Sequence, residues 1–184
     1  GYDQLYGQDG VDTLIGGTGS DFMMGDDFEA TGVDRSADIF RFESKTDSTV
    51  AEADFIGDFT TGEDKIEFVG MSGISYDPGQ TPWDFLTDIA TTVADIETYA
   101  PADSIIFFTE SGVDGEGAWT DGYLYVKGSG AVGTGAAGDF AGTLIGMEDV
   151  VAPLALADIM GVAAVVNAMP TLTALDFYGT ENVI

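Results

Sequence analysis

GYDQLYGQDGVDTLIGGTGSDFMMGDD, residues 1–27, repeats itself every nine residues. Gly1, Gly10 and Gly19 fall nine apart, as do Gly7, Gly16 and Gly25, Asp3, Asp12 and Asp21, and Leu5, Leu14 and Met23. The unit reads G-G-x-G-x-D-x-U-x, with U aliphatic, a period belonging to stacked solenoid units rather than to a helix or an isolated strand. Each column has a physical role. Glycines allow the positive-φ backbone of a tight turn, the carboxylate offers oxygen to a hard cation, and the aliphatic residue two places later enters a narrow core. One unit buries almost nothing and sets its carboxylate beside those of its stacked neighbours, so the stack is expected to need an ion between its turns.

On these residues the chain resembles the RTX (repeats-in-toxin, haemolysin-type calcium-binding) family. The resemblance implies a parallel β-roll with successive turns on opposite sides and Ca²⁺ between turns eighteen residues apart. Asp3 would then share an ion with Asp21, and Asp12 with Asp26 or Asp27, giving two or three sites. Asp9, and the turn glycines Gly7, Gly10, Gly16 and Gly19, complete the candidate metal set of the first turns. Gln8 and Asp9 stand where a second glycine and a variable residue are usual. Because Gly1 opens in mid-repeat, the chain is expected to be the C-terminal piece of a longer protein.

A second resemblance covers Ser36–Phe42 (SADIFRF), Asp54–Phe59 (DFIGDF) and Gly62–Phe68 (GEDKIEF), which look like the segments that end the β-roll in secreted RTX proteins, including the C-terminal module of serralysin-type peptidases. Phe28 to Arg35 interrupts the nine-residue spacing, and Asp38 is carried over as a ligand of the last turn. Asp121–Val126, Gly142–Gly146 and Leu156–Ile159 resemble the final strands of such a module. The fold class expected is mainly β: a short calcium-binding parallel β-roll over 1–48, then a β-sandwich-like or meander module over 49–160. Residues 161–184 form a tail in which, or beside which, a type I secretion signal is expected, because Glu181-Asn-Val-Ile184 follows a region without charge from Gly161 to Ala174.

Within the β module one amphipathic helix is expected near 82–100. Thr81 offers an N-cap, Pro82 the first helical position, and Trp83, Leu86, Ile89, Ala90, Val93 and Ile96 follow at helical spacing up to Pro101. Packing of that helix on its own sheet is the expected arrangement. Ser104–Thr109, Tyr123–Lys127 and Thr143–Gly146 read as strands of a meander.

Composition narrows the function. With 33 acidic and 5 basic residues the formal charge is -28, which excludes nucleic acid and anionic membrane as partners. The apolar stretch Val150–Met169 is broken by Pro153, Asp158 and Asn167, so no membrane span is expected. There is no cysteine and no histidine. A zinc-peptidase H-E-x-x-H motif, a Ser-His-Asp triad and a Cys-His pair are therefore impossible within these residues, and no enzyme activity is expected of them. The expected role is a non-catalytic extracellular module, secreted or cell-surface associated, that folds on calcium after passing a type I secretion apparatus. The alternative is a calcium-dependent self-assembling surface-layer, filament or adhesin subunit, with contacts between copies bridged by calcium. The loop Asp114-Gly-Glu-Gly with Asp121 lacks the order of an EF-hand and reads as a solvated hairpin connection.

Overall fold

A computed structural model describes residues 1–26, 36–71, 74–76, 82–113, 115, 117–128, 139–160 and 163–164. The repeats fold as the period demands. β1 (Gln4–Tyr6), β3 (Phe22–Met24) and β5 (Asp54–Ile56) lie side by side in one parallel sheet. β2 (Thr13–Leu14), β4 (Ile39–Phe42) and β6 (Lys65–Phe68) form a second one. The chain thus crosses between two sheets at every turn. Turns 7–12 and 57–64 lie along one edge of the roll, with residues 25–26 and 36–38 beside them, and turns 16–21 and 43–54 along the other.

Both sheets run across residue 48, the expected boundary between roll and β module. β5 and β6 continue the stack, and later segments close it. β10 (Leu144–Met147) adds parallel to β5, and β11 (Ile159–Met160) adds parallel to β6. The first sheet extends through an antiparallel meander: β10 pairs with β9 (Ala118–Lys127), and β9 with β8 (Ser104–Val113). β7 (Ser75–Tyr76) and β12 (Ala163–Ala164) finish it, giving eight strands against four among the described residues. The three meander strands expected from the sequence are these. The apolar residue two places after each turn aspartate fills the space between the sheets, where Leu14, Met23, Phe40, Ile56 and Ile66 are buried together with Phe42, Phe68 and Phe107.

The helix, α1 (Ile89–Tyr99), begins seven residues later than the sequence pattern predicts. The competing interaction is sheet pairing. The Trp83 N–H donates to the Phe107 carbonyl at 2.8 Å, Trp83 bridges Phe108 in parallel, and Phe85 stacks on Phe108 at 6.4 Å. Residues 82–85 are thereby held against the β8 edge, and Asp88 becomes the N-cap, accepting from the Thr91 N–H at 2.7 Å. Thr81 lies outside the described residues. The helix packs on its own sheet as expected: Val93 and Ile96 bury against Ile106, Phe108, Tyr123 and Tyr125 on the face of the larger sheet away from the roll interior. Among the described residues no helix is long and apolar enough to cross a membrane.

Lys127, buried at the end of β9, closes the helix. Its ammonium donates to the carbonyls of Ile96, Glu97 and Ala100 at 3.0, 2.7 and 2.7 Å. The last-turn carbonyls of a helix need partners outside it, and a cation there also meets the negative end of the helix dipole. Lys127→Met keeps the volume and strands these carbonyls. It is expected to cost about 2–3 kcal/mol, read as a lower urea midpoint with faster amide exchange over 92–99. An unchanged midpoint would show that the cap is dispensable.

Candidate metal centre

The turn aspartates form two columns, one on each edge of the roll. In each column the carboxylate of one coil accepts the backbone N–H of the aspartate one coil earlier. Asp3 N–H donates to Asp21 Oδ1 at 2.8 Å, and Asp21 N–H to Asp54 Oδ1 at 2.8 Å. On the opposite edge Asp12 N–H donates to Asp38 Oδ1 at 2.8 Å, and Asp38 N–H to Asp64 Oδ1 at 3.0 Å. Asp3 and Asp21 are therefore brought together as expected. Asp12 stacks on Asp38 rather than on Asp26. The next carboxylate in that column is 26 residues away in sequence, against 18 between Asp3 and Asp21.

Asp26 sits at the start of the same turn, where its N–H donates to Asp58 Oδ2 at 2.8 Å and its Oδ1 faces the Ser36 N–H at 3.4 Å. Asp27 lies outside the described residues. Asp9 is exposed on the turn after β1, apart from both columns.

The ladder uses one oxygen of each carboxylate. The second oxygens, Oδ2 of Asp12, Asp21 and Asp54, are buried without a hydrogen-bond partner. A buried, unpaired carboxylate oxygen is too costly to leave in place unless a cation or a proton meets it. The glycines make this close packing feasible. A Cβ on Gly7 would stand 3.0 Å from Asp12 Oδ2, and one on Gly16 would stand 2.8 Å from Asp21 Oδ2. Gly10 and Gly19 serve differently, by holding φ of 109° and 131°. Gln8 takes φ of 71° where the equivalent residue of the next coil is Gly17 at 78°, which explains why glycine is usual there.

Electrostatics point the same way. Asp54 is pushed up to about 7, first by burial and then by repulsion from Asp21 and Asp47, against the Asp21 N–H that favours its charge. Asp64 is pushed up to about 6, again by burial first. The anionic forms of these side chains are thus disfavoured until positive charge arrives.

Among the described residues no three acidic side chains converge as a ready-made ligand set. An ion between the turns would therefore complete its shell with backbone carbonyls, which suits the six to eight oxygens of Ca²⁺ and not the nitrogen and sulfur preference of zinc. The donor set present, buried carboxylate oxygens against glycine turns, fits calcium.

Asp54 and Asp64 escape a search by nine-residue spacing. They are legible in a shorter signature, aspartate followed at the second place by an apolar residue. It recurs as Asp3-Gln-Leu, Asp12-Thr-Leu, Asp21-Phe-Met, Asp38-Ile-Phe, Asp54-Phe-Ile and Asp64-Lys-Ile. Of the hairpin loop between β8 and β9, Asp114 and Glu116 lie outside the described residues. Trp119 lies across Gly112, and the Trp83 indole N–H donates to Asp95 at 3.0 Å. Both tryptophans are thus half-buried structural side chains.

Residues 8–98 match the family model described as the C-terminal domain of M10 serralysin peptidases. No curated protein matches the chain. Among solved structures, the solution structure of the AlgE6R3 subunit from the Azotobacter vinelandii mannuronan C5-epimerase is similar, with 25% identity and a TM-score of 0.45. The match covers 95% of this chain and 73% of that one.

Proposed function

Because residues 8–98 match the family model of the serralysin C-terminal domain, we propose that this chain is the calcium-dependent folding and export module of a secreted protein. It binds Ca²⁺ between turns on both edges of the roll, takes no catalytic part itself, and reaches the outside through a type I secretion apparatus. Asp3 and Asp21 serve one edge, Asp12 and Asp38 the other, with the turn carbonyls around Gly7, Gly10, Gly16 and Gly19 completing the shells. The observation that carries this reading is the pair of buried, unpartnered Oδ2 atoms of Asp12 and Asp21, each packed on a glycine of its own turn. In calcium-poor cytosol the acidic columns repel and the chain stays threadable; in a calcium-rich medium binding supplies the folding energy.

Calorimetric titration with calcium tests the sites. Asp12→Ala and Asp21→Ala are each expected to raise the calcium midpoint several-fold, whereas Asp95→Ala, beside Trp83 on the helix, leaves it unchanged. Equal shifts in all three would mean that bulk negative charge rather than turn geometry governs binding. Deleting 175–184 and measuring the protein in the medium of a strain with a matching transporter tests the export part, and undiminished export would reject a signal there.

A further inference from the structure

The late start of α1 leaves a space beside it. Residues 82–86 stay outside the helix, held at the β8 edge through Trp83, and next to them lies a cleft of about 410 Å³ lined by Pro82, Trp83, Asp84, Leu86 and Asp95. That volume falls in the range of small-ligand sites. Both walls are fixed. The Trp83 N–H is bound to the Phe107 carbonyl, the Leu86 N–H donates to Thr92 Oγ1 at 3.1 Å, and Thr92 Oγ1 donates in turn to the Asp88 carbonyl at 2.9 Å. The Trp83 indole N–H ties the two walls together through Asp95 Oδ2 at 3.0 Å, which sets the indole ring and leaves the second oxygen of Asp95 to a ligand. Leu86 is 44% exposed, and Trp83 and Asp95 are half-buried, so the cleft offers apolar surface and carboxylate to the same occupant.

We propose that this cleft, between residues 82–86 and α1, binds an organic ammonium cation. Asp84 comes from the segment before the helix and Asp95 from the helix itself, so a charged nitrogen in the cleft meets a carboxylate from each wall. Indole is the aromatic side chain that attracts alkylammonium groups most strongly, through the negative face of its ring. Pro82 and Leu86 cover the alkyl substituents, which removes apolar surface from water on both partners. A metal ion is a poorer occupant. Two carboxylates fall short of the six to eight oxygens that Ca²⁺ takes, and a proline, a leucine and an indole give a hydrated ion nothing. An anion is repelled by both carboxylates. Among the described residues no basic side chain lines the cleft: Arg41 is held by Glu67, Lys65 by Asp158 and Lys127 by the helix carbonyls. The negative charge of the cleft is thus left for a ligand to neutralise, and the cleft lies apart from both aspartate columns.

The test is an NMR titration of the full chain in saturating calcium, which keeps this site separate from the ion sites of the roll. The readout is the indole N–H resonance of Trp83, identified by its loss in Trp83→Phe, with that of Trp119 as internal reference. Choline is expected to move the Trp83 resonance and not the Trp119 one, with a dissociation constant on the order of 1 mM, as suits one cation–π contact and two partly exposed carboxylates. The tert-butyl analogue of choline, in which carbon replaces the charged nitrogen, is expected to bind about tenfold more weakly or not at all. Asp95→Asn keeps an acceptor for the indole N–H and removes the charge; it and Asp84→Asn are each expected to weaken choline about threefold, while Glu148→Gln, exposed at the end of β10, leaves it unchanged. A parallel titration with N-acetyl-lysine amide distinguishes the source of the ammonium group: tighter binding of choline marks a free quaternary ammonium compound, and tighter binding of the lysine derivative marks a side chain of a partner peptide. A Trp83 resonance that moves with neither probe, equal binding of the neutral analogue, or equal weakening by Glu148→Gln overturns the proposal. Because Asp84 is exposed and no described bond of the fold uses its side chain, Asp84→Asn decides the matter should Asp95→Asn disturb the helix.

Discussion

In a calcium chelator at neutral pH the protein is expected to lose its β-sheet circular dichroism, and to regain it at millimolar calcium. The parallel coils are only two to four residues wide. Their interior contribution per coil is small, while each coil brings an aspartate into a column of like charges. A site of the extracellular type, with a dissociation constant near 10⁻⁴ M, gains about 1.4 kcal/mol from 1 mM calcium. Two or three such sites give about 3–4 kcal/mol, a large share of the total stability of a domain this size. The carboxylates that would do this are already placed, with Oδ2 of Asp12 and Asp21 buried and unpaired. Superimposable spectra in chelator and in calcium would reject the idea that the fold requires the ion.

The second large effect is an inverted pH dependence. Without calcium, stability is expected to fall as pH rises from about 4 to about 7.5, because Asp54 and Asp64 titrate near 7 and 6 in the folded chain and near 3.8 in the unfolded one. In that window the folded state binds more protons than the unfolded state, so the slope of stability against pH is negative. At about 1.4 kcal/mol per tenfold change in proton affinity, the pair costs the ion-free fold several kcal/mol by neutral pH. With saturating calcium the sign reverses, since a metal ligand must be deprotonated to bind. The measurement is the urea midpoint at pH 4.5 and 7.5, in calcium-depleted buffer, where by pH 7.5 it is expected to have fallen to zero denaturant, and in 5 mM calcium as a round working value of about fifty times the dissociation constant assumed above. Asp54→Asn should remove the larger share of the calcium-free slope, which separates this cause from general repulsion among 33 acidic side chains. A midpoint that rises with pH in the absence of calcium would contradict the argument.

The roll itself was legible because its side chains repeat. Any coil needs an aspartate at the turn exit and an apolar residue two places on, and that triplet persists from Asp3-Gln-Leu to Asp64-Lys-Ile even where the nine-residue period has gone. What the period hid is register. The spacing between stacked aspartates grows from 18 to 26 and 33 residues while the N–H to carboxylate bond stays near 2.8 Å. Sequence distance pairs Asp12 with Asp26 or Asp27, whereas the strand pairing of Thr13 with Ile39 stacks it on Asp38. The late start of α1 has a different origin. Helical spacing from Pro82 onward is real, but the open edge of β8 takes the Trp83 N–H first, a tertiary contact that no local pattern contains. Lys127 is likewise silent in the sequence, where it is a lone lysine at the end of an apolar strand.

The aspartate ladder has a direction. In every rung the earlier coil gives the hydrogen and the later coil gives the oxygen. The late end is sealed by β10, β11 and the contact of Lys65 with Asp158, while β1 and β2 are the outermost strands of their sheets at the other end. A coil added before β1 would contribute donors to Asp3 and Asp12 without disturbing any bond already made; a coil inserted near β6 would have to break the seal. Gene duplication of the nine-residue unit is thus tolerated at one end of the module and penalised at the other. Rolls built on this plan are expected to vary in length on their upstream side while keeping a constant downstream cap.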